Sequence, residues 1–309
     1  MKNAIYWLNY YIFLKSNTSN PSLACFVVKI KYYLESNFFV FFLLLTKSKN
    51  FVILDNDLIL GRDRRIMYIF EVFSNTTINP GQKIIIIFAY CLALLTAFVL
   101  HEFAHSWVAV KMGDNTPKYN GRLTLNPLAH IDPMGFAMLF LLGFGWAKPV
   151  PINPANFKNR KKGMIWVSLA GVLANFIVAL ISYILFVLLS VLCARVPAVY
   201  DILGGLIVIF FAEYFTWTCM ICLFLFAFNI IPLYPLDGSK FLETLLDGRG
   251  GKFTYFLKRY SNYILIGLIV LGIVADRIGF PQIDLLSNYV TFVSNLIYDL
   301  FDMIGSLFL

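Results

Sequence analysis

Three hundred and nine residues would accommodate one to three soluble domains, but 60% of them are hydrophobic and only 14% charged. An ordinary soluble domain carries roughly 45–50% and 25%, and a mean hydropathy of +0.75 leaves more apolar side chain than one soluble core can bury. A water-soluble globular protein and a disordered chain are both excluded, and much of this chain has lipid as its solvent. The net charge is +8 and the pI about 9.1. The basic residues stand in short stretches beside apolar runs, which is a membrane-topology pattern and not a nucleic-acid one.

In chain order, residues 1–66 come first and are rich in Phe, Tyr, Asn and Lys. Their longest apolar run, Phe38–Leu45, is too short to cross a bilayer, and no secretory pattern is evident. Arg62, Arg64 and Arg65 would lie on the outer side of the first span, against the positive-inside rule. Two readings are open: an extension particular to this protein, or translated sequence upstream of a start at Met67. The second is preferred, which would make Met67–Leu309 the working protein.

Four segments then approach the roughly 20 apolar residues that a membrane helix needs. They run from about Ile84 through Leu100 towards Val110, from about Ile165 to Leu192, within Ile202–Ile231, and over roughly Tyr263–Ile278. Asp276 and Arg277 make the fourth the weakest. The run Phe136–Trp146, broken by Gly143 and Gly145, is too short to span and suits a re-entrant or interfacial element. The tail Ser287–Leu309, with Asp299 and Asp302 among apolar groups, reads as an interfacial amphipathic helix. The expected fold is therefore an all-α polytopic membrane protein with about four transmembrane helices.

Charge sets its orientation. Lys111, Lys118, Arg122, Lys148, Lys158, Arg160, Lys161 and Lys162 lie between the first two spans, and Lys240, Arg249, Lys252, Lys258 and Arg259 between the last two. Only Arg195 stands in the remaining link, so the two basic loops are expected on the cytoplasmic side. Cys25, Cys91, Cys193, Cys219 and Cys222 form no disulfide framework. The CxxC of Cys219 and Cys222 lies in an apolar run and reads as small apolar filler.

The chemistry concentrates at the end of the first span. His101-Glu102-Phe103-Ala104-His105 is an HExxH motif, and on a helix its histidines share a face and can chelate one metal ion. Zn²⁺ accepts imidazole nitrogen, and Glu102 can take a proton from water at the metal. Unused, two imidazoles and a carboxylate at a membrane helix end would be expensive. A hydrolytic zinc site needs a third protein ligand, and the candidates are His130, Asp132, Glu213 and Asp237. His130 and Asp132 sit in a polar turn that they could brace, and Glu213 lies near the outer end of the third span. Asp237 is favoured, because it follows the proline-broken stretch Asn229–Pro235 on the same side as the HExxH, where irregular backbone can line a cavity.

These motifs, together with Gly121–Pro127, His130-Ile131-Asp132-Pro133, Gly145–Val150 and Ala170–Asn175, resemble the site-2 protease family of intramembrane zinc metalloproteases, peptidase family M50. The similarity is to its compact bacterial branch, without PDZ or CBS domains, and covers about Ile84 to Val274. It implies His101, His105 and Asp237 as ligands of one Zn²⁺ per chain and Glu102 as the general base. It also implies a role for Asn229 in orienting substrate or the oxyanion. The implied protein is a multi-pass cell-membrane endopeptidase whose partners are transmembrane substrate proteins in the lipid bilayer, with its site near the cytoplasmic side. Val172 departs from the pattern, since related chains usually carry proline there. Phe136–Trp146 and the loop Lys148–Phe157 are candidates for an edge that receives an unwound substrate strand, although Lys148 and Asn153 could simply anchor the loop. A membrane metal-ion transporter is the alternative in a different class. A membrane protease acting on prenylated termini and an inactive scaffold are weaker ones.

Overall fold

A proline with an asparagine before it starts the first long helix, and a glycine ends it. In the computed structural model, which describes residues 72, 78–135, 147–196, 204–246 and 251–305, Asn79 accepts from Gly81 N at 2.8 Å and Pro80 opens helix α1, Pro80–Met112. Gly113 closes it at φ 113°, a left-handed conformation suited to glycine. A short helix α2, Thr116–Tyr119, follows. Then come α3 (Arg160–Arg195), α4 (Gly205–Asn229), α5 (Asp237–Leu246), α6 (Gly251–Arg277) and α7 (Leu285–Gly305), with 3-10 turns at Pro127–Ala129, Pro154–Asn156 and Pro281–Ile283. Among the described residues the only β pairing is a bridge between Ile131 and Ala147.

Helices α1, α3 and α4 are each long and apolar enough to cross a membrane, and each packs on the other two. This is an all-α membrane protein. The expected fourth span falls within α6, which is not one of those three helices. The expectations for residues 1–66, for Cys25 and for Phe136–Trp146 lie outside the described residues.

The bundle is built inside out relative to a soluble one. On α1, Ala89, Ala93, Ala97, His101, His105 and Ala109 recur every four residues and are all buried. On α3, Gly163, Val167, Gly171, Asn175, Ala179, Tyr183 and Val187 do the same. These are i±4n rows, and small residues along them let the backbones approach closely. The large apolar side chains of α3, such as Ile177, Ile181 and Leu188, are instead more than half exposed, as a lipid-facing surface requires. Val172 is buried within an unbroken α3; without proline, the helix simply continues.

On α4, Trp217 packs edge-on against Tyr90 at 4.9 Å. Cys219 and Cys222 are buried free thiols in the same core, in keeping with their reading as filler. Helix α7 docks on α4 and α3: Ser294 Oγ donates to Leu223 O at 3.3 Å, and Phe301 packs on Phe176 and Tyr183. The tail is thus amphipathic as expected but lies along the bundle. Its exposed side carries Phe292, Leu296 and Met303 together with Asn288, Asn295 and Asp299.

Candidate metal centre

One turn of α1 separates His101 from His105, so both rings leave the same side of the helix, with Nε2 atoms 3.1 Å apart. Both are buried, in the middle of the alanine row that faces α3 and α4. The third group arrives from a different part of the chain. Pro232 and Pro235 prevent α4 from continuing, and a short irregular turn, held by Leu233 N donating to Ile231 O and Leu236 N to Leu233 O, both at 2.9 Å, redirects the backbone into α5. Asp237 is the first residue of α5, where the helix dipole favours a carboxylate. Gly238 permits this junction: a Cβ there would stand 2.4 Å from Ile230 O and 2.6 Å from Ile231 O.

Asp237 Oδ2 is consequently 2.9 Å from His105 Nε2 and 3.3 Å from His101 Nε2. Lys240, one turn along α5, holds the other carboxylate oxygen at 3.0 Å, so Asp237 offers a single oxygen to the histidines. The three ligand atoms lie within 4.8 Å of one another, and all three residues are buried. Two imidazole nitrogens and one carboxylate oxygen are a donor set that suits Zn²⁺. The surroundings fit a metal as well. His105 Nδ1 is 2.7 Å from Val167 O; donating there puts the proton on Nδ1 and leaves the Nε2 lone pair free for an ion. Gly171 leaves room for both rings, since a Cβ would come within 2.5 Å of His101 Cε1 and of His105 Nε2.

The other candidates lie elsewhere. His130 is buried and its Nε2 hydrogen-bonds Thr124 O at 2.8 Å, while its carbonyl receives Lys148 N at 2.8 Å. Arg122, also buried, donates to Ala129 O beside it. Asp132 Oδ1 caps Gly135 N at 2.8 Å. These residues brace the loop. Lys148 and Asn153 anchor it too, the latter through its N–H to Asp114 Oδ2 at 2.7 Å. Glu213 accepts from Trp217 Nε1 at 3.1 Å, sixteen residues before the end of α4 and therefore about 24 Å from that end by helix rise. Glu102 is half-buried on the turn between the histidines. Asn229 is the last residue of α4; one of its two amide hydrogens goes to Leu225 O at 3.0 Å. In the sequence only the i+3 spacing from Asp237 points to Lys240, and nothing there shows that Gly171 and Asn175 face the histidine rings.

Helices that can cross a membrane, enclosing a buried His-His-Asp cluster that includes an HExxH, define the class: a helical membrane protein with a candidate metallohydrolase centre. Residues 89–272 match peptidase family M50, and the chain belongs to that family. It is 40% identical over 155 residues to "Putative zinc metalloprotease YwhC" of Bacillus subtilis (strain 168), covering 50% of this chain and 68% of the relative. It is 26% identical over 199 residues to "Putative zinc metalloprotease Rip2" of Mycolicibacterium smegmatis, covering 63% and 71%. A third relative, "Zinc metalloprotease MJ0392" of Methanocaldococcus jannaschii, is 24% identical over 187 residues, 60% of this chain and 43% of that one. No solved structure matches the chain.

Proposed function

We propose that this protein is an intramembrane zinc endopeptidase that hydrolyses peptide bonds of transmembrane proteins. The observation that carries the reading is the convergence of His101 Nε2, His105 Nε2 and Asp237 Oδ2 inside a bundle of membrane-length helices. Family membership and the names of the relatives support the zinc metalloprotease part.

His101, His105 and Asp237 would hold the ion, and a zinc ion held there would supply Lewis acidity to the hydrolysis. Glu102 receives the proton of the attacking water on its carboxylate and passes it to the leaving amine nitrogen. Lys240 keeps Asp237 Oδ1 engaged, so that Oδ2 is the oxygen presented to the ion. Asn229 has a second amide hydrogen beyond the one given to Leu225 O, and this is the donor that orienting a substrate carbonyl requires. A transmembrane substrate hydrogen-bonds its own peptide groups, so a segment of it unwinds before a carbonyl reaches the site. The positive-inside distribution of loop charges supports α6 as a further crossing and a site near the cytoplasmic side of a multi-pass cell-membrane protein. A transporter would set polar ligands along a path through several spans, whereas the described residues gather them in one cluster.

Glu102→Gln separates binding from chemistry. The variant should keep its zinc while cleavage of a reconstituted transmembrane substrate falls by about 10²–10⁴-fold. Undiminished cleavage would overturn the mechanism.

A further inference from the structure

The zinc reading explains Asp237 and one imidazole fully, but it leaves His101 Nδ1 without an assigned partner role. The atom next to it belongs to Asn175: its Nδ2 lies 3.0 Å from His101 Nδ1. Asn175 is fully buried in the middle of α3, and its Oδ1 has no hydrogen-bond partner among the described residues. A buried amide half left unsatisfied in a membrane helix is costly.

The two ends of an asparagine amide are almost the same shape, and hydrogen bonding decides which way it faces. With Nδ2 donating to Nδ1, the ring proton of His101 must sit on Nε2, the atom that faces Asp237 Oδ2 at 3.3 Å. A protonated Nε2 has no lone pair for a metal. With the amide turned over, Oδ1 accepts from an Nδ1–H and Nε2 is free to ligate. His105 already has this arrangement available through Val167 O.

We propose that Asn175 is the positioning residue for His101, its amide oxygen accepting the Nδ1 proton and so aiming the Nε2 lone pair at the ion. This rests on the zinc reading above. Helix α3 then serves both ligands from one face at four-residue spacing: the Val167 carbonyl orients His105, Gly171 gives the rings room, and the Asn175 side chain orients His101. A carbonyl of α3 serves one histidine. The other needs a side-chain acceptor, and this is why a polar residue stands in an apolar span.

The test compares zinc affinity of the full-length chain in detergent, by competition with a chromophoric chelator, for wild type, Asn175→Leu, Asn175→Ala and Asn175→Asp. Asn175→Leu and Asn175→Ala should weaken zinc binding by about 10–100-fold, and Asn175→Asp should stay within about threefold of wild type or bind more tightly. An ionised aspartate accepts a hydrogen bond but cannot donate one, so its rescue is what a donor role would not produce, and weak binding by the similarly sized Asn175→Leu is what a merely space-filling role would not produce. The visible absorption of the Co²⁺-loaded Asn175→Asp protein should match wild type, which would show that the new carboxylate has not become a ligand. Should Asn175→Leu not fold, Asn175→Val takes its place as the space-filling apolar variant beside Asn175→Asp. The proposal is overturned if the apolar variants bind zinc like wild type, or if Asn175→Asp binds as weakly as they do. Failure of the zinc reading looks different: wild type would take up no zinc, or His101→Ala would keep it.

Discussion

The candidate metal centre has two halves built on opposite principles. The histidine half is regular: two unbroken helices, α1 and α3, face each other along buried rows spaced every four residues, and His101 and His105 occupy two positions of one row. The aspartate half is irregular: α4 stops, a short turn containing Pro232 and Pro235 redirects the chain, and α5 restarts with Asp237 at its first residue. The regular half is held by many interchangeable packing positions. The irregular half depends on one backbone position, Gly238, where an added side chain would meet the fixed carbonyls of Ile230 and Ile231. Rigidity should therefore be distributed on one side of the ion and concentrated on the other.

Asp237→Ala should have the largest effect on the metal. It removes a ligand and leaves two buried imidazoles without their carboxylate, so zinc content measured on the purified protein should fall to a trace. Gly238→Ala should come next, and it should act through the backbone. The added Cβ meets Ile230 O at 2.4 Å and Ile231 O at 2.6 Å, and carbonyls fixed at a helix end cannot swing away. Overpacking of this kind costs about 1–3 kcal/mol, so both the melting temperature of the metal-free protein and its zinc affinity should drop.

Gly171→Ala tests the other half. Its Cβ would also stand at 2.5 Å from its neighbours, but those are the rings of His101 and His105, which can turn. A glycine in a helix interior is worth about 1 kcal/mol less than alanine, and that gain offsets part of the crowding. Zinc affinity should fall while the metal-free melting temperature moves less than in Gly238→Ala. Equal losses of stability in the two variants would erase the distinction between the halves.

The same division explains what was legible in the sequence. The histidine pair could be read because an i, i+4 spacing becomes a shared face on any helix, and α1 is capped at both ends by residues visible in the chain. The membrane class could be read because apolar content does not depend on tertiary detail. Topology and the prolines favour Asp237 in the sequence, with His130, Asp132 and Glu213 as the other candidates. Their places come only from the fold, which sets Asp237 beside the histidines, His130 and Asp132 in the loop, and Glu213 against Trp217. The services of Asn175 and Gly171 were not legible, because an asparagine or a glycine in an apolar run carries no sign of which neighbouring helix it faces. The docking of α7 along the bundle was hidden for a related reason. An amphipathic pattern shows that a helix has a polar and an apolar side, but it does not say whether lipid or protein covers the apolar one.

The smallest expected effect on the metal lies just outside the membrane helices, at the junction that supports the histidine half. Asp114 follows the left-handed Gly113 and is fully buried. Its Oδ1 accepts from Thr116 N at 3.0 Å, from Thr116 Oγ1 at 2.5 Å and from Asn156 Nδ2 at 2.8 Å, and its Oδ2 from Asn153 N at 2.7 Å. Burial pushes this carboxyl up, but the four donors outweigh it and hold the carboxyl below its ordinary value of 3.8. A depressed folded value means that ionised Asp114 contributes stability above pH 3.8, and that the contribution fades as pH falls through the lowered folded value. Asp114→Asn replaces one acceptor oxygen by a donor facing a donor, at a cost of about 1–3 kcal/mol near neutral pH. Thermal unfolding in detergent should therefore show a gap between wild type and Asp114→Asn at pH 7 that narrows on acidification. A gap that stayed constant down to strongly acidic pH would mean that the tie between the end of α1 and the loop at 153–156 does not depend on the charge of Asp114.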